Sequence, residues 1–172
     1  MTNAKFTPAT PFPSITWPTV QEGQIDIAGL DGWRMLVVYR GKHCPLCKRY
    51  LKTLNGMLGD FAEAGVKIAA VSADPREKAA ADVESEGWTF PVGFGLTPEE
   101  MRKLGLYVSE PRSPQETDRP FSEPGIFVVN PAGNVQIVDV SNAPFSRPDL
   151  QTLLNGIKFV MEKDYPVRGT LS

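Results

Sequence analysis

Cysteine is scarce in this chain, with two among 172 residues, and histidine is scarcer still, with one. Two cysteines are too few for a disulfide-stapled secreted scaffold, and a close pair in a reducing compartment more often cycles than braces. Long apolar runs are missing too. The longest, "IAAV" and "GIFVV", fall far short of the roughly 18 to 20 residues that a membrane-spanning helix requires. The opening "MTNAKFTPATPFPSITWP" holds no apolar core and no small-residue cleavage site, so it does not read as a signal peptide. Blocks of one charge are also absent. With 18 basic residues dispersed among 20 acidic ones and a net charge of −2, nothing in the chain attracts a phosphate backbone. These absences exclude a membrane span and argue against nucleic acid, and the expected location is the cytoplasm.

What is present suits a single globular unit, since 41% of the residues are hydrophobic and a chain of this length buries a layered core. Pro8, Pro11, Pro13 and Pro18 block helix and favour an extended arm over residues 1–20. The main domain is expected over 21–164 and a frayed tail over 165–172. After Asp31 and Gly32, "WRMLVVY" is apolar without alternation, the pattern of a strand buried on both faces, and "VKIAAVS" repeats it. Leu51, Leu54, Leu58 and Phe61 recur at helical spacing after Pro45 and predict one helix that ends at Gly65, weakened by Gly56 and Gly59. Asp74 with Pro75 and Glu77, and Thr97 with Pro98 and Glu100, read as N-caps of two further helices closed by Gly87 and Gly105. "TFPVGF" between them is a short strand. Residues 107–123 are polar and proline-rich and read as a long loop without packed structure. "GIFVVN", "PAGN" and "VQIVDVS" form a hairpin, and a last helix runs from about Pro148 to Lys163. Early β-α-β units followed by a hairpin predict an α/β fold, a mixed central sheet with helices on both faces.

Both cysteines and the histidine sit together in "YRGKHCPLCKRY". With Cys44 near the N-cap of a helix and Pro45 at its first position, Cys47 lies one turn on, close enough to bridge. Unpaired N–H groups and the positive helix end stabilise a thiolate there, which lowers a thiol pKa from about 8.5 toward neutrality. Arg40, Lys42, Lys48 and Arg49 add positive charge, although the basic residues after the pair are by default a solvated helix face. His43 is held as a tuner of the thiols. A zinc site needs about four ligands, and Cys44, Cys47 and His43 supply three, so metal is disfavoured. An inert structural pair stays open as the bland alternative.

The stretch, together with "VVYRG", "VSADP", "FPV" and "PGIFVVNPAGNV", resembles the peroxiredoxin-like branch of the thioredoxin superfamily. It is similar in particular to the alkyl hydroperoxide reductase and thiol-specific antioxidant family (AhpC/TSA), in a subgroup with a CxxC motif. The resemblance spans about Phe12 to Val160 and implies a thioredoxin-like fold. It places Cys47 at the position that attacks peroxide in peroxiredoxins, with Cys44 replacing a Thr and Arg40 a Pro. A later family Arg corresponds to Pro124, so Arg40 or Arg119 is the candidate source of a guanidinium. In thioredoxins a cis-proline opens the strand facing the active site, and Pro124 before Phe127 matches it. The buried thioredoxin Asp corresponds to Val38.

The implied activity is thiol-dependent reduction of hydroperoxides through a Cys47 sulfenate, resolved by Cys44 as a Cys44–Cys47 disulfide. The first alternative is a thiol-disulfide oxidoreductase led by Cys44. The second is a redox-inert or redox-sensing interaction domain. The resemblance implies no cofactor. It implies a hydroperoxide or disulfide substrate, an external reductant such as thioredoxin, glutaredoxin or glutathione, and association as a homodimer.

Overall fold

The strand after Asp31 and Gly32 becomes the centre of a sheet whose two faces carry separate cores. A computed structural model describes residues 4–172. Nine strands and five helices follow in the order β1 (Thr16–Pro18), β2 (Gln24–Asp26), β3 (Trp33–Val38), α1 (Pro45–Gly56), α2 (Leu58–Glu63), β4 (Val66–Val71), α3 (Arg76–Glu86), β5 (Val92–Gly93), α4 (Pro98–Lys103), β6 (Val108–Ser109), β7 (Phe121–Ser122), β8 (Gly125–Val129), β9 (Val135–Val140) and α5 (Leu150–Lys163). The main sheet is ordered β5-β4-β3-β8-β9. β3, β4 and β5 run parallel, and β8 and β9 join antiparallel, so the sheet is mixed as expected.

Successive side chains of a strand point to opposite faces, and β3 divides its residues accordingly. Met35 and Val37 pack with Cys47, Leu51 and Leu54 of α1, Phe61 of α2, Ala79 of α3 and Leu154 and Ile157 of α5. Leu36 and Val38 face Met101 of α4 together with Phe12, Trp17, Ile25 and Ile27 of the N-terminal segment. That segment lies along the sheet, with Ala9 and Phe12 donating backbone hydrogen bonds to Val135 and Gly133. The Phe6 and Phe12 rings stand edge-on to Phe127. The first three residues of the expected arm lie outside the described residues.

Several elements differ from the expectation in ways that have local causes. The single helix expected up to Gly65 is two, because Met57 leaves helical geometry at φ −107° and ψ 4° and its N–H turns to Leu54 and Asn55, directly after a glycine of poor helix propensity. Thr97 and Glu100 make the full reciprocal capping box, but Asp74 caps nothing. α3 starts at Arg76 with Pro75 before it and no side-chain cap, while the Asp74 carboxylate accepts a hydrogen bond from the Lys42 backbone N–H at 2.8 Å. The strand expected over "TFPVGF" shrinks to Val92–Gly93. Residues 107–123 are not an unpacked loop throughout. Their ends pair as β6 and β7, and Thr117, Phe121, Ser122 and Glu123 are buried.

Candidate active site

β3 delivers the chain to Tyr39 and Arg40, and a turn at Gly41 swings it into α1. Gly41 sits at φ 134°, and a Cβ there would come within 2.8 Å of Asp74 Oδ1, so only glycine lets the loop close on this carboxylate. Asp74 thereby holds the Lys42 amide, and the next two residues are His43 and Cys44.

Cys44 is the N-cap of α1. Its sulfur accepts the backbone N–H of Cys47 at 3.2 Å, the role that a Ser or Asp oxygen plays at most helix starts. Both cysteines are free and buried. The thiol and backbone N–H of Cys47, with the Arg40 guanidinium after them, hold the Cys44 thiol down to about 6, against the opposing effect of burial. Cys47 moves the other way. The hydrogen bond it donates to Cys44, burial and the neighbouring thiolate push its thiol far up, although the Arg40 backbone N–H points at its sulfur. The pair titrates as a unit. Within the pair the thiolate is favoured on Cys44 and disfavoured on Cys47.

The expected supporting residues are distributed unevenly. Arg40 is at the site, its Nε 3.1 Å from Glu123 Oε1 and its guanidinium 4.8 Å from the centre of the Phe121 ring. Ser109 donates to the other Glu123 oxygen at 2.7 Å, so β6 and β7 together fix the arginine. His43 is half-buried with its ring 4.6 Å from that of Phe121. Burial and the nearby cations, Arg40 foremost, push its pKa down, so it is an uncharged imidazole at neutral pH and adds no positive charge. Arg119 is turned away, both its Nε and Nη2 engaging Asp118 at 3.0 Å. Pro124 lines the small hollow beside Cys47, but its peptide bond is trans, since the described residues contain no cis peptide. The cis-proline expectation is therefore corrected. The ordinary trans form suits a proline whose carbonyl accepts Ser141 N–H and whose neighbour Glu123 donates its N–H to Tyr107.

Besides Phe121 and Glu123, two further groups escaped the sequence reading. Arg147, from the segment between β9 and α5, lines the same hollow as Cys47 and Pro124. Its side chain is 6% exposed, pairs with Asp139 at 3.0 Å and lies over the Tyr50 ring. Burial lowers its pKa, and the Cys47 sulfur acts on it electrostatically. The second is a buried carboxylate on α3. Asp82 of α3 is fully buried beside Lys48 at 3.5 Å, so Lys48 is not simply solvated. Arg147 is about 100 residues from the cysteines along the chain, and neither group carries a motif. Among the described residues no group of three or more His, Cys, Asp or Glu is placed to hold a metal, and no helix is long and apolar enough to cross a membrane.

This geometry has known counterparts. Residues 8–138 match the AhpC/TSA family. A relative from Mycobacterium tuberculosis that carries a provisional peroxiredoxin name is 30% identical over 104 residues, 60% of this chain and 66% of its own, so the match spans just under two thirds of that relative. The thiol-disulfide oxidoreductase ResA of Halalkalibacterium halodurans is 32% identical over 73 residues, 41% of this chain and 42% of its own. In fold, the chain is similar to a peroxiredoxin-like protein from Aquifex aeolicus, with a TM-score of 0.76 at 17% identity over 91% of this chain and 89% of that one. It is also similar to peroxiredoxin 6 of Arenicola marina, with a TM-score of 0.74 at 20% identity over 91% and 74%. These likenesses establish the thioredoxin-like architecture.

Proposed function

Since the chain belongs to the AhpC/TSA family, we propose that it is a dithiol redox enzyme that reduces hydroperoxides and closes a Cys44–Cys47 disulfide in each turnover. The observation that carries this reading is the Cys44 sulfur capping α1 through the Cys47 N–H at 3.2 Å, with its thiol lowered to about 6. A thiolate is the nucleophilic form of cysteine.

The Cys44 thiolate attacks the distal oxygen of the hydroperoxide. An S–O bond forms as the O–O bond breaks, and the departing alkoxide takes the proton of the Cys47 thiol. The products are an alcohol, a Cys44 sulfenic acid and a Cys47 thiolate. Cys47 then displaces hydroxide from the sulfenic acid, the S–S bond forms, and the hydroxide leaves as water after taking a proton from solvent. The peroxide gains two electrons and the two thiols lose them. Arg40, fixed by Glu123, stands beside Cys44 to meet charge developing on oxygen. An external thiol reductant, thioredoxin, glutaredoxin or glutathione, then reopens the disulfide.

The order with Cys47 first and Cys44 resolving follows from the family position. It is supported by the Arg40 N–H directed at Cys47 and by Arg147 beside it. The thiolate on Cys44 favours the opposite order. Stopped-flow reaction of the reduced variants decides between them: Cys47→Ser is expected to keep a first reaction with hydroperoxide, and Cys44→Ser to lose it. The reverse result reinstates Cys47 as the attacking residue, and no peroxide consumption by the wild type removes the peroxidase reading.

A second reading, thiol-disulfide exchange led by Cys44, is favoured by the capped CxxC itself. Reduction of insulin disulfides by the wild type, abolished in Cys44→Ser, supports it. We propose association as a homodimer on the strength of the family resemblance, and the cytoplasm as the location.

A further inference from the structure

A polar cavity of about 400 Å³ opens on the outer side of the cysteine loop, lined by Lys42, His43, Lys78, Arg112, Gln115 and Glu116. It is not the small hollow in which Cys47 meets Pro124 and Arg147. Two of its walls, Lys42 and His43, immediately precede Cys44. Its size is that of a small-molecule site.

The charges in the cavity are unequal. Arg112 donates to Glu116 through Nε at 2.6 Å and through its backbone N–H at 3.1 Å. Lys78 reaches Asp118 at 3.2 Å and Thr117 at 3.3 Å. Lys42 has no ion pair among the described residues, although its charge acts on the buried Asp82 carboxylate. Three cations thus face the single lining carboxylate of Glu116, with the Asp118, Asp74 and Asp82 carboxylates behind them. Both ring nitrogens of His43 are buried without a hydrogen-bond partner. An imidazole carries one donor and one acceptor in its neutral form, and buried polar atoms are ordinarily paired. The cavity therefore offers excess positive charge beside a histidine that has no partner in the fold and that directly precedes Cys44 in the chain.

We propose that this cavity is a subsite for the carboxylate of a small molecule whose reactive end reaches the cysteine pair. It deepens the hydroperoxide reading and rests on it for the chemistry at sulfur, while the anchoring of the carboxylate is separate. Lys42 and Lys78 hold the carboxylate by charge, the free end of Arg112 adds a planar donor set, and the His43 ring lines the wall beside it. The molecule is either the hydroperoxide that Cys44 attacks, by the step given above, or the thiol that reopens the disulfide. A carboxylate is the shared feature, and the two sources are told apart kinetically.

Because His43 is the only histidine in the chain, its ring resonances are a direct reporter of the cavity. The groups facing it are Arg40, Lys78 and Arg112, which lower its pKa, and Glu116, which raises it. S-methylglutathione, an unreactive peptide with two carboxylates, is added to the reduced protein and His43 is titrated by NMR. The expected result is a titration midpoint moved to higher pH, because a bound anion favours imidazolium, with the effect absent in Lys42→Gln/Lys78→Gln. An unmoved midpoint at saturating probe concentration overturns the subsite, whatever the activity.

The kinetic arms then identify the source. tert-Butyl hydroperoxide is compared with the same hydroperoxide bearing a carboxylate on one methyl, and glutathione with its dimethyl ester. A hydroperoxide subsite predicts a kcat/KM ratio of about tenfold in favour of the charged hydroperoxide, the effect of two modest ion pairs, collapsing in the double variant. A reductant subsite predicts that ratio for glutathione instead. Ratios near one in both arms overturn the proposal, while loss of all peroxide consumption overturns the hydroperoxide reading and leaves the NMR result standing.

Discussion

Cys44 has two jobs that depend on the same contact, since the sulfur that caps α1 is also the thiolate. Alkylation of the reduced wild type by iodoacetamide is expected to rise with pH around a midpoint of about 6 and to lose that component in Cys44→Ser. The same contact makes stability depend on pH. A thiol lowered from 9.0 to about 6 in the folded state contributes stability that is fully present above pH 9.0 and is lost as pH falls through about 6. Cys47, raised by the same interaction, loses its contribution as pH climbs above its unfolded value. Urea denaturation of the reduced protein should therefore show stability rising from pH 6 to 9, relative to Cys44→Ser, and falling beyond it. Arg147 makes a separate prediction. In a Cys44→Ser background, Arg147→Gln is expected to move the alkylation midpoint of Cys47 to higher pH, and Arg147→Lys to move it less, because the Cys47 sulfur and this guanidinium interact electrostatically. The CxxC at a strand-to-helix junction was legible in the sequence because the cap, the proline and both sulfurs lie within four residues. Arg147, Glu123 and Phe121 were not, because the sheet order alone brings them to the sulfurs, and no local pattern encodes it.

At the scale of elements, α4 shows how much a cap does when its residues have second partners. Glu100 accepts the Thr97 N–H at 3.0 Å and also the indole N–H of buried Trp17 at 2.9 Å, so it joins the helix start to β1. Thr97→Ala removes one cap bond and is expected to cost about 1 kcal/mol. Glu100→Ala also strands a buried indole donor and is expected to cost about 2 to 3 kcal/mol, both read from denaturant midpoints. The Thr97 box was legible because its members are three residues apart. The matching pattern at Asp74 misled, because the carboxylate instead serves an amide 32 residues earlier. Local spacing identifies a cap only when no distant donor competes for the same oxygen.

Across the whole molecule, the sheet separates a core that holds the cysteines from one that holds the N-terminal segment, and Arg34 pins the ends together. Its guanidinium is buried and donates to the carbonyls of Ile27, Gly32, Asn130 and, at 3.4 Å, Ala28. It thereby ties the chain before β3 to the β8–β9 turn. Arg34→Ala leaves these carbonyls short of donors and opens a void, and is expected to cost at least about 3 kcal/mol in urea unfolding. Arg34→Lys recovers only part of that, because an ammonium lacks the planar fork.

The cap at Cys44 has one more effect once the sulfurs join. A thiolate is a strong acceptor for the Cys47 amide, whereas a sulfur committed to a disulfide is a poor one, so oxidation leaves the first turn of α1 with an unpaired N–H. The redox state is thus written into the order of the helix start and reaches Lys48, whose N–H rests on the Cys44 carbonyl. Amide hydrogen exchange in that turn distinguishes the two states without any reaction at sulfur, and a protein that docks on the loose turn would sense which form it has met.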